Sequence, residues 1–189
     1  MRSLSTYSGG LLSALCAVTL LAAPPAAHAD NPLTDLVDAA AQRLQVGDDV
    51  AAVKWHSGGA IEDPARVQQQ LAAVASAAEV QHLDAGYVRQ AFTDQIAATE
   101  ALEHYRFAQW KLDPASAPAV APDLATSRAR IDGYNRVMLT QIGLRWQQLH
   151  AAECAPRLDE AIRDVSAARQ FDEFSRRALS SATRDYCTG

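Results

Sequence analysis

Apolar residues recur along this chain at steps of three and four, the period of a helix that buries one face. The series Leu36, Ala40, Arg43, Gly47, Val50, Lys54 predicts a first helix from about Leu33 to Trp55. Asn31 is its expected cap, with Pro32 at the first position, and Gly47-Asp48 is the place for a bend. His56-Ser57-Gly58-Gly59 breaks the pattern. Asp63-Pro64 opens a second helix by the same cap-then-proline logic, running to about His82. Asp84 caps a third and longer helix to about Leu112, with the stripe Val88, Phe92, Ile96, Phe107, Trp110. Residues 113–122 hold three prolines and no apolar period, so they are a loop. Asp123 caps a fourth helix to about His150, with the stripe Leu124, Arg128, Ile131, Asn135, Met138, Ile142, Leu149. Two shorter helices follow, near residues 156–168 and 171–186. No strand-like alternation of useful length and no internal repeat interrupts this, so the expected fold is all-α with six helices.

The first 29 of the 189 residues do not belong to that pattern. Arg2 is their only charge, Leu11 to Ala23 is almost wholly apolar, and Pro24 and Pro25 end the run. Ala27-His28-Ala29 then places small residues at the positions a signal peptidase needs. The apolar run is about 13 residues, whereas a membrane span needs roughly 20. Leu15 is too large for the lipoprotein signal that Cys16 would otherwise raise. Residues 1–29 therefore read as a secretory signal peptide and residues 30–189 as the mature domain, either periplasmic or released. Within residues 30–189, 32 alanines against 7 glycines and 6 prolines agree with an all-helical chain.

Removing the leader takes away one basic residue and no acidic one, so the net charge moves from −5 to −6. That balance argues against nucleic acid as a partner and against a polybasic membrane surface once the leader is cleaved. The mature histidines His56, His82, His104 and His150 are scattered; none forms HxxxH, and Glu79–His82 is a single ExxH where a di-iron bundle needs a pair. A di-iron bundle and a four-ligand zinc site are both excluded, and no metal is expected. The mature cysteines, Cys154 and Cys187, form an even pair in an exported chain, which reads as one structural disulfide; a redox-active pair would more often use CxxC. Closing a loop of about 34 residues is worth about 3–4 kcal/mol.

The informative residues are polar ones on faces that should be buried. Steps of three and four carry the third helix from Ile96 to Phe107 through Thr99 and Glu103. Arg128 lies in line with the fourth helix's core stripe. Arg43 and Lys54, eleven residues apart, share a face of the first helix, and Arg66 and Gln70 are one turn apart on the second. Taken singly, each fits a snorkelling side chain or an internal salt bridge. As a set, four cations stand against Glu103. A cation surplus inside a bundle calls for an anion, and a small ligand with about two carboxylates would suit bidentate arginines. An exported binding protein and a salt-bridged structural bundle remain alternatives to an enzyme on these residues alone.

Several segments together resemble the secreted chorismate mutases of the all-helical AroQ class, gamma subclass, the mycobacterial type. They are LVDAAAQRLQVGDDVAAVKW, IEDPARVQQQL, DQIAATEALEHYRFAQWKLDPASAP and PDLATSRARID, spread between about Leu33 and Cys187. The resemblance implies an AroQ-type bundle with a C-terminal helical hairpin closed by the Cys154–Cys187 disulfide. It implies isomerisation of chorismate to prephenate, on the branch toward phenylalanine and tyrosine. No cofactor is implied, the site lies within one chain, and the protein is a homodimer. Carried over residue by residue, Arg43, Arg66 and Arg128 clamp the substrate's carboxylates. Lys54 and Glu103 reach its ether oxygen as the catalytic pair, and Thr99 and Gln70 are ancillary contacts. His56 to Ala60 depart from the family pattern, in a loop after Lys54.

Overall fold

The computed structural model describes residues 31–187; the predicted leader lies outside the described residues. Helix α1 spans Thr34–Ser57, α2 Pro64–Val80 and α3 Ala85–Leu112. A 3-10 turn at Pro114–Ser116 sits in the proline-rich loop, followed by α4 at Leu124–Leu144 and α5 at Trp146–Leu149. Helices α6 (Cys154–Ala168) and α7 (Glu173–Ala182) complete the chain. Among the described residues every regular element is helical, and no helix is long and apolar enough to cross a membrane.

The aspartate caps form as their spacing requires. Asp63, Asp84 and Asp123 accept from the backbone N–H three residues on, at Arg66, Tyr87 and Thr126. Asp172 does the same for α7 through Ser175. Three expectations need correction. Asn31 does not cap α1 directly; Leu33 holds the cap position, and Asn31 accepts from the Leu33 N–H one turn earlier. The expected fourth helix is two, because the backbone leaves the helix at Arg145. The last helix stops at Ala182, so residues 183–187 are a packed tail.

Helix α1 is the central element, packed against α3, α4 and α6. Its Leu36, Val37, Ala39, Ala40, Ala41 and Leu44 are at most 2% exposed and form one core with Val88, Phe92 and Leu102 of α3, Met138 and Ile142 of α4, and Leu158 of α6. Small alanines let the backbones approach closely. At Gly47 helices α1 and α3 pack closely, since an added Cβ would lie 2.9 Å from Thr99 Cγ2 of α3. Gly58 ends α1 at φ 67°, a left-handed conformation that glycine adopts without strain.

Gly47→Ala therefore sets two effects against each other. Alanine gains about 1 kcal/mol of helix propensity, while overpacking costs about 1–3 kcal/mol. Thr99 cannot swing aside cheaply, because its hydroxyl donates to the Gln95 carbonyl at 2.8 Å. The expected result is a net loss of up to about 2 kcal/mol in denaturant unfolding. A variant as stable as the parent would show that Thr99 yields.

The disulfide closes as expected, with Cα atoms of Cys154 and Cys187 5.6 Å apart. It joins the start of α6 to the tail beyond α7, closing the C-terminal hairpin.

Candidate active site

Helices α1 to α4 and the segment 58–63 enclose a cavity of about 280 Å³. Its lining contains all seven residues singled out from the sequence: Arg43, Lys54, Arg66, Gln70, Thr99, Glu103 and Arg128. Larger depressions lie elsewhere on the surface. The one of about 450 Å³ beside Trp110 has Asp48 and Asp49 against Arg106 and so lacks the cation surplus.

Arg43 projects from the most buried face of α1 and is 3% exposed. Its Nε donates to Asn135 Oδ1 at 2.7 Å and its Nη1 to Thr99 Oγ1 at 3.2 Å. Both partners are neutral. Burial lowers its pKa to about 10, against the opposing pull of Tyr186, Asp132 and Glu103, so it stays charged at neutral pH. A guanidinium with five N–H donors uses two here and keeps three for the cavity. A buried cation without a carboxylate beside it is costly, and an anion in the cavity relieves that cost.

Lys54 lies three turns further along α1. Edge-on packing of Trp55 against Phe107 and Trp110 (5.3 and 5.6 Å between rings) ties this end of α1 to α3. Lys54 thereby faces Glu103, and its Nζ donates to Glu103 Oε2 at 2.7 Å and to the Ile61 carbonyl. An ammonium has three N–H groups, so one is left for a ligand. Glu103 is 3% exposed. Burial raises its pKa to about 7, more than the bond and charge of Lys54 lower it. Near neutral pH it is part protonated and can donate a hydrogen bond.

Arg66 enters from α2. Its Nη2 contacts Asp132 Oδ1 at 3.3 Å and its Nη1 donates to Gln69 Oε1 at 3.0 Å, while the buried Nε has no partner among the described residues. Gln70, one turn on, is half-buried. Arg128 departs from expectation: it is exposed at the cavity rim, not in the core stripe. A rim position suits a side chain that closes over a bound anion, as Arg128 has no side-chain partner among the described residues.

The sequence pattern missed four participants. Asn135 was legible as an inward polar residue but not as the group that fixes Arg43. The Ile61 carbonyl is a loop backbone atom, to which periodicity is blind. Asp63 and Glu100 also line the cavity. Asp63 is committed to capping α2, and burial raises the Glu100 pKa above the usual carboxylate value.

Fold and cavity define a class: a helical bundle enclosing a pocket with a surplus of cations, built for a small multiply charged anion. Comparison with known proteins narrows this. Residues 34–104 match the family model described as chorismate mutase type II. A secreted chorismate mutase of Mycolicibacterium smegmatis is 53% identical over 92% of this chain and 97% of its own length. One of Mycobacterium tuberculosis is 52% identical over 87% of this chain and 83% of its own. A chorismate mutase structure from Burkholderia thailandensis superposes with a TM-score of 0.79 at 32% identity, covering 84% of this chain and all of that one. One from Burkholderia phymatum gives 0.81 at 25% identity, covering 84% and 98%. The chain belongs to the type II chorismate mutase family, and with these secreted relatives it is a secreted protein.

Proposed function

We propose that this cavity converts chorismate to prephenate, the Claisen step toward phenylalanine and tyrosine. The reaction is unimolecular: a carbon–oxygen bond breaks as a carbon–carbon bond forms. It needs no nucleophile and no net proton transfer. The protein's tasks are to hold the compact reactive shape and to stabilise negative charge growing on the ether oxygen.

The residues divide between these tasks. Arg43 and Arg66 offer free guanidinium edges from two walls, and Arg128 offers a third from the rim; these clamp the two carboxylates. Thr99 holds Arg43 in place and, with Gln70, contacts the substrate directly. The uncommitted N–H of Lys54 and the protonated Glu103 converge on the ether oxygen. The observation that carries this reading is the Lys54–Glu103 pair, 2.7 Å apart, in a cavity walled by arginines. Both donors are already in place, so little reorganisation is required when charge develops.

Incubation with chorismate tests it. Prephenate should appear at a rate proportional to protein concentration. Binding of a dicarboxylate analogue with no turnover would instead indicate a binding protein, and neither would indicate a structural bundle. Residues 1–29 are the leader in this reading; the amino-terminal sequence of exported protein should begin at Asp30. The mature chain forms a homodimer. Val137 and Leu144, exposed two turns apart on α4, support an apolar contact there. Light scattering should give twice the chain mass, and a monomer would rule the dimer out.

A further inference from the structure

Arg43 is a buried cation held only by neutral groups. Its Nε donates to Asn135 Oδ1 at 2.7 Å and its Nη1 to Thr99 Oγ1 at 3.2 Å. Thr99 spends its own proton on the Gln95 carbonyl, so toward Arg43 it only accepts. Asn135 must present its carbonyl oxygen for the same reason, since a guanidinium has no acceptor to offer its amide N–H. Two carboxylates on α3 and α4 are engaged elsewhere: Glu103 with Lys54 at 2.7 Å, and Asp132 with Arg66 at 3.3 Å. Among the described residues no carboxylate lies within ion-pair distance of Arg43, although it is only 3% exposed.

Asn135 is the residue at which this could have been otherwise. It sits on α4, 8% exposed, one turn beyond Asp132. It stands behind the cavity lining and is not part of it. Aspartate would differ from it only by an oxygen in place of the amide nitrogen and by one negative charge. It would fill the same space and accept the same bond from Arg43 Nε. A charge-assisted hydrogen bond is roughly twice as strong as a neutral one, and a buried cation is relieved by a carboxylate beside it. An internal ion pair would, however, set a fixed protein anion against the guanidinium that faces the cavity. With asparagine there, Nη2 has no protein partner among the described residues and the whole charge is open to a ligand carboxylate.

We propose that Asn135 is a positioning residue that holds Arg43 without neutralising it, and that its lack of charge sets the affinity of the cavity for a carboxylate ligand. The inference rests on the reading of Arg43 as a clamp for chorismate. Asn135 then acts on the substrate through Arg43 and touches no reacting atom.

The test compares Asn135→Asp with Asn135→Ala in chorismate kinetics and in thermal unfolding. Asn135→Asp should raise KM about tenfold to a hundredfold, the loss of one hydrogen-bonded interaction between charged groups. Its kcat should stay within about threefold, because Lys54 and Glu103 are untouched and the carboxylates persist through the reaction. Asn135→Ala removes the anchor but leaves the charge, so its KM should rise less, by about threefold. Melting temperatures should fall in the opposite order, with Asn135→Asp above Asn135→Ala. A residue that serves only as a geometric anchor gives the reverse order in KM, since aspartate keeps the acceptor and alanine loses it. A KM for Asn135→Asp at or below that of Asn135→Ala therefore overturns the proposal. So does an Asn135→Asp protein that melts no higher than Asn135→Ala or does not fold, because Arg43 would then gain nothing from a carboxylate beside it. If Asn135→Ala does not fold, Asn135→Asp alone decides, and a KM less than about tenfold above the parent's overturns the proposal. Failure of the parent protein to convert chorismate would overturn the functional reading instead, while the order of melting temperatures still reports on the charge of Arg43, so the two failures are distinguishable.

Discussion

Lys54→Ala should lose at least about 10²-fold in chorismate turnover, the effect of deleting one preorganised donor from a site where charge develops. Three consequences follow from removing one ammonium. In the proposed mechanism the ether oxygen would lose its cationic donor. The Ile61 carbonyl loses the bond that holds segment 58–63 over the cavity. Glu103 loses the hydrogen bond and the positive charge that lower its pKa. The last point gives the variant a second signature: Glu103 then stays protonated to higher pH, so the residual activity should decline at a pH above the parent's. Initial rates of chorismate consumption across pH measure both effects. Near-parental turnover would exclude Lys54 from the chemistry.

Glu103→Gln is expected to separate from the parent mainly at high pH. The Glu103 carboxyl, pushed up to about 7 by burial, donates only while protonated. The sign follows directly. Raising pH through about 7 removes the proton, so kcat/KM of the parent should fall about tenfold per pH unit above it. A glutamine amide donates at every pH in that range. The variant's profile should therefore be flat, and by pH 9 it should exceed the parent by up to about 10²-fold if the two are equal at low pH. Parallel profiles would show that another group titrates. Loss of activity at all pH values, with the fold intact, would show that the carboxylate itself is required.

Much of this architecture was legible because its signals are local. A cap aspartate followed by a proline or an apolar period marks a helix start wherever it occurs, and Asp63, Asp84 and Asp123 each act as expected. The cavity residues were legible for a related reason: Thr99 and Glu103 interrupt an apolar stripe, and burial makes such interruptions expensive. The break at Arg145 left no comparable mark. No proline or glycine occupies that residue, and its backbone departs from the helix under tertiary packing, where α5 turns to bring Leu149 into the core. Arg128 misled for the opposite reason. Its register is that of the core stripe, but its long side chain reaches the rim. The fastening of the tail was invisible, since its partners Asp94, Gln90 and Tyr87 lie about 90 to 100 residues earlier.

One chain supplies every wall of the cavity, from Arg43 on α1 to Arg128 on α4. For an exported protein this is a matter of dilution. Outside the cell its concentration falls without limit, and any site shared between two chains would be lost as the chains separate. A site closed within one chain has no such threshold, so specific activity should not depend on how far the protein has spread.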